Sequence, residues 1–303
     1  HMKPVRSNPD RDDITLPRMP SWVTSPRGEA LEDVAFMSGA ALGHLHLVLV
    51  RTDVPQSLLR ERLALRAAEV SVALSGRPER AADLRDAVQL LRLGDQPGPA
   101  GEFYQNWRQA VERPVSVKAL HRALPSYPAT ELAAWLDQCD GRRTGQGGPV
   151  ARAAAVLEAV LSDQPRAEHL GLILADVALA QGLGWDHVVP LLGGGLTPRD
   201  LRKTGEPLRV ACHHAVVGSA IEATRMAADL ARRAARLKAV TPKLRAKGAG
   251  QAVELFLTRD AVAPAALVSL NSDRAARRLC DRLVDLGAVR ELTGRNTFRL
   301  YGV

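Results

Sequence analysis

Cysteine is scarce in this sequence: there are three, Cys139, Cys212 and Cys280, far apart and odd in number. That argues against a disulfide framework and a cysteine-rich zinc site, and it points to a reducing, cytoplasmic setting. Aromatic residues fill only 4% of the 303 positions. Long apolar runs are missing too. The two longest, 40–50 and 170–183, are interrupted by His44, His46 and Asp176, whereas a membrane-spanning helix needs roughly 20 apolar residues. No membrane span or signal peptide is expected, and His1-Met2 reads as a cloning remnant. With 46% apolar and 24% charged residues, the chain also lacks the composition of a disordered or fibrous protein.

Acidic residues are in deficit only in the last third. From Leu201 onward there are 19 Lys and Arg against 9 Asp and Glu, a net of +10. The first 200 residues are near neutral, at −2. A basic segment beside a neutral body is a footprint of nucleic-acid binding, although 35 Arg against 6 Lys also fits a genome bias.

Residues 1–20, with Pro4, Pro9, Pro17 and Pro20, read as a flexible arm outside the core. Beyond them, apolar residues recur at three- and four-residue steps, the period of a helix with one buried stripe. This predicts helices near 31–45, 55–74, 79–93, 103–111, 117–124, 129–139, 150–161, 167–183 and 208–240, and an all-α body over 21–248. The alternation of His44-Leu45-His46-Leu47 leaves a strand open there. The 167–183 helix is apolar almost all round except for Asp176, which suits a central core helix. A carboxylate in that setting must be paired, hydrogen-bonded or neutralised.

The clearest motif lies in 249–303. Helices are expected at 251–257, 264–268 and 272–286, with Ser272 as N-cap of the third and Gly287 as its left-handed stop. Two alternating runs follow, 288–292 and 297–301, joined by Thr293-Gly294-Arg295-Asn296. Three helices and a two-stranded wing make a C-terminal winged helix-turn-helix. Ala276, Leu279, Cys280, Leu283 and Leu286 would face inward; Arg274, Arg277 and Arg278 would face outward and could meet phosphates or guanine edges of double-stranded DNA. Arg295 and Asn296 extend that surface through the wing. Arg232 and Arg236 on the long helix, and Lys243, Arg245 and Lys247 after it, would add sequence-independent phosphate contacts. The competing reading is a solvated face with internal pairs, such as Asp273 with Arg277 and Asp229 with Arg225 or Arg233.

The stretches Leu31-Glu32-Asp33-Val34-Ala35-Phe36, Gly184-Trp185-Asp186-His187, 242–248 and Arg290-Glu291-Leu292-Thr293-Gly294-Arg295 resemble an uncharacterised family of alphaproteobacterial proteins. The resemblance spans the chain and implies no particular activity. The ending 289–295 also resembles the winged helix that follows many Fic domains. Fic enzymes carry a His-Pro-Phe-x-x-Gly-Asn-Gly-Arg loop; the nearest stretch here, 139–145, has no histidine, proline or phenylalanine ahead of it. The resemblance therefore implies, as an alternative, a non-catalytic interaction module.

No P-loop, dinucleotide fingerprint, nucleophile elbow or HExxH helix is present, so no cofactor, metal site or catalytic set is expected. An enzyme built on Asp176 with His213 or His214 is a third reading. The principal expectation is a cytoplasmic DNA-binding regulator, with the helical body providing dimerisation or effector sensing.

Overall fold

The computed structural model describes residues 16–24, 30–92, 94–138, 147–270, 272–295 and 297–303. Thirteen helices are described: α1 (Ser21–Thr24), α2 (Leu31–Leu49), α3 (Gln56–Leu74), α4 (Ala81–Gln89), α5 (Gly98–Glu112), α6 (Val117–Ala123), α7 (Ala129–Gln138), α8 (Pro149–Asp163), α9 (Glu168–Leu183), α10 (Leu192–Gly195), α11 (Gly205–Val240), α12 (Ala249–Thr258) and α13 (Asp273–Asp285). Two strands, β1 (Arg290–Glu291) and β2 (Tyr301–Gly302), pair antiparallel with Arg290 opposite Gly302 and Glu291 opposite Tyr301. The fold is mostly helical, as the periodicity predicts. The segment 44–47 lies inside α2, which removes the strand alternative.

The helices pair along their apolar stripes: α2 on α11, α8 on α9, and α3 on α5. Every residue of α9 from Leu170 to Ala180 is buried, Asp176 included. At about 1.5 Å per residue, α11 runs some 54 Å, and its buried alanines let neighbouring backbones approach closely. Gly218 does not interrupt it. One hydrophobic cluster extends from Leu16 to Val303. Leu16, expected in the flexible arm, is therefore a core residue, because its side chain is buried against that cluster.

The C-terminal segment departs from the expected layout in two places. The second expected helix, 264–268, is only a three-residue 3-10 turn at Pro264–Ala266. The expected strands 288–292 and 297–301 shrink to two residues each. The Leu292 N–H still donates to the Leu300 carbonyl at 2.8 Å, and beyond it the Glu291 carboxylate accepts from the Thr293 and Gly294 backbone N–H groups and the Thr293 hydroxyl, which bends the chain there. Tyr301, paired with Glu291, also exchanges both backbone bonds with Val262, at 2.8 and 2.9 Å. The strand pair is thus anchored to the loop after α12.

Candidate nucleic-acid interface

α13 forms as its sequence predicts. The Ser272 hydroxyl accepts the Ala275 N–H at 3.2 Å, and Gly287 closes the helix at φ 64°. Ala276, Leu279, Cys280 and Leu283 are buried, while Arg274, Arg277 and Arg278 are exposed. Leu286 is half-buried, and Arg282 adds a fourth exposed arginine one turn beyond Arg278. Arg277 lies 2.8 Å from Asp273, one helical turn back. Such an exposed pair is worth little and yields to a competing phosphate. Burial pushes the Cys280 thiol up to about 12, which suits an inert filler.

The remaining basic residues fall into different settings. Arg295 pairs with Asp86 of α4 at 2.7 Å. Asn296 lies outside the described residues. On α11, Asp229 holds both Arg233 at 2.7 Å and Arg232 at 3.4 Å. Arg236 lies against Gly287: a Cβ added there would sit 2.7 Å from the guanidinium, so the glycine makes room for a cation at the C-terminus of α13. Lys243, Arg245 and Lys247 are exposed.

Asp176 has a structural explanation. It is 1% exposed, and its carboxylate accepts the N–H groups of Leu191, Leu192 and Gly193 at 3.1, 2.9 and 2.9 Å, capping α10. Burial pushes the carboxyl up to about 7 against the pull of those three donors. Gly193 is required there, since a Cβ would lie 2.4 Å from the Trp107 ring. His213 is buried and bonded to Ser38 (Oγ to Nδ1, 2.6 Å), whereas His214 is exposed. Among the described residues Asp176 bonds to neither histidine, and each of Asp176 and His213 is already engaged elsewhere. Among the described residues no three His, Cys, Asp or Glu side chains converge on a metal site. The glycine-rich stretch 139–146 lies outside the described residues.

A buried charge cluster escaped the sequence reading. Asp260, just after α12, is 1% exposed and lies 3.0 Å from Arg62 and 2.5 Å from Arg85. Its backbone N–H donates to Glu61 at 2.8 Å, and Glu61 in turn lies 2.5 Å from Arg108. Arg62 also donates to the Val303 carbonyl. Burial pushes the Glu61 carboxyl up, with Arg108 opposing it. The Tyr104 hydroxyl beside the cluster is buried with no hydrogen-bond partner among the described residues, and its pKa is raised by that burial and by the two carboxylates. The only signal in the sequence was Arg60-Glu61-Arg62, which reads as a solvated face.

Taken together, the structure is that of a mostly helical protein whose C-terminal segment carries an arginine-faced helix and is bolted to the body by buried ions. Comparison with protein families matches residues 7–303 to a family described as a protein of unknown function (DUF1403), and the chain belongs to that family. No curated protein matches it. Among the described residues no helix is long and apolar enough to cross a membrane.

Proposed function

We propose that the chain binds double-stranded DNA through α13, as a homodimeric cytoplasmic regulator of transcription or of a mobile element. The reading treats the C-terminal segment as a winged helix of the kind that follows Fic domains, with α13 as its recognition helix. One observation carries it: Arg274, Arg277 and Arg278 project to solvent from a helix whose other face is buried. Among the described residues their ion pairing is confined to the exposed Arg277–Asp273 contact. Arginine in this setting contacts phosphates and reads guanine bidentately. Lys243, Arg245 and Lys247 supply further backbone contacts. Arg295 extends that surface, and like Arg277 it would exchange a surface pair, here the half-exposed one with Asp86 at 2.7 Å, for a phosphate. Two modules in a dimer would meet successive half-sites about one helical turn apart.

The test is fluorescence anisotropy with a labelled duplex selected from fragmented genomic DNA, read against salt. Replacing Arg274 and Arg278 by alanine should weaken binding at least tenfold. Neutralising Lys243, Arg245 and Lys247 should leave sequence preference intact and flatten the salt dependence by about one unit of slope per lost phosphate contact. Unchanged affinity in the first variant would remove the recognition-helix assignment.

A further inference from the structure

A cavity of about 630 Å³ opens between α2, the first turns of α8 and α11, and the turn after α9. That volume falls within the range of small-molecule sites, roughly 300–1,000 Å³. Its α2 wall contains Gly39 and Gly43, one helical turn apart. A Cβ added to either would meet no atom of another described element within 4 Å. Mid-helix glycine weakens a helix relative to alanine, so α2 forgoes stability twice at the place where the space lies. Among the described residues, close packing does not explain these glycines, because the space at either Cβ position is open.

The remaining lining divides into an apolar part and a polar part. Leu42, Leu183 and the Trp185 ring supply hydrocarbon surface, and the Trp185 N–H is already engaged by His46 Nδ1 at 3.1 Å. Ser38 and His213 supply the buried polar groups, 1% and 8% exposed, bonded to each other at 2.6 Å. Burial, with Arg209 and His214 nearby, holds His213 down to about 4, so its ring is neutral near pH 7. Arg209 stands one turn before His213 on α11 and is the only Asp, Glu, Lys or Arg in the described lining. Its ion-pair partner, Glu206, is exposed and 3.7 Å away. The start of α8 also lines the cavity, and the N-cap of this fifteen-residue helix, Gly148, offers no side-chain acceptor. The first-turn N–H groups of Val150 and Ala151 therefore stand at the positive end of a helix dipole without an intrahelical partner.

We propose that this cavity binds a small organic carboxylate with an apolar, ring-bearing body. The carboxylate faces Arg209 and the first turn of α8, and the ring lies over Gly39 and Gly43 against Leu42, Leu183 and Trp185. A neutral hydrophobe would leave the arginine and the helix terminus unanswered. A cation would be repelled by both. The site stands whether or not α13 meets DNA.

Calorimetry on the full chain with 1-naphthaleneacetate and with decanoate tests the assignment, with 2-(1-naphthyl)ethanol as the uncharged counterpart. At least one acid should bind saturably at one equivalent, and the alcohol at least tenfold more weakly than naphthaleneacetate. Arg209→Met should weaken acid binding at least tenfold, and Gly43→Leu should abolish it by filling the void. Gly43→Ala, which keeps most of the space, should retain binding and melt at or above the wild-type temperature. It also controls for any misfolding of the leucine variant. Absence of saturable binding by both acids, equal affinity for acid and alcohol, or full binding by a folded Gly43→Leu protein would each overturn the proposal.

Discussion

Asp176 on α9 and the Glu61–Asp260 cluster are almost equally withdrawn from water, at 1%, 4% and 1% exposure, yet their charges are answered by different partners. Asp176 is met by three backbone N–H groups from one short stretch, 191–193. Glu61 and Asp260 are met by arginines from α3, α4 and α5. A backbone cap is a local device that sets how one turn enters a helix. The arginine cluster spans elements far apart in sequence, and it fixes where the C-terminal segment sits on the body. A buried ion pair adds little net stability compared with apolar packing, but removing one member leaves charges stranded. The cluster is therefore best understood as a device for position.

Denaturant unfolding of single variants can break that contrast. The largest effect is expected for Asp260→Ala, which strands Arg62 and Arg85 and should lower stability by about 3–5 kcal/mol. A loss below about 1 kcal/mol would mean that the arginines escape to water and the cluster is not a joint. Asp176→Ala orphans three buried donors and should lower stability by about 2–3 kcal/mol, with α10 loosening first in hydrogen exchange. Uniform loosening of the whole chain would contradict the local role.

The pH dependence separates the two sites further. Burial raises the folded pKa of Asp176 to about 7, against about 3.9 in an unfolded chain. Its contribution is thus full below about pH 4 and is lost as pH rises through about 7, because the folded state binds the proton more tightly. Wild-type stability relative to Asp176→Asn should decline across that window; a flat difference would remove the assignment. The smallest effect is expected at the edge of the joint. Arg295→Ala breaks the half-exposed pair with Asp86 and should change stability by at most about 1 kcal/mol. A larger loss would extend the joint to the strand pair.

Much of this architecture is legible in the residues. The three- and four-residue apolar rhythm marks α2, α3, α8, α9 and α11, and Ser272 and Gly287 mark the ends of α13, because caps and stripes depend on neighbours within a turn or two. Asp176 declares itself as a carboxylate that needs partners, though not which ones. The strands are overread: alternation at 288–292 and 297–301 carries no sign that Glu291 will bend the chain at Thr293 and Gly294. Glu61 reads as surface because both its sequence neighbours are arginines.

The sequence by itself determined a helical chain, a basic last third, and a final helix with apolar and arginine faces, since each follows from local propensity, composition and spacing. Tertiary packing alone decided that Ser38 meets His213, that Glu61 meets Asp260, and that two glycines border an open cavity. Those contacts join residues that only the assembled core brings within a few ångströms, and no local pattern encodes such distances.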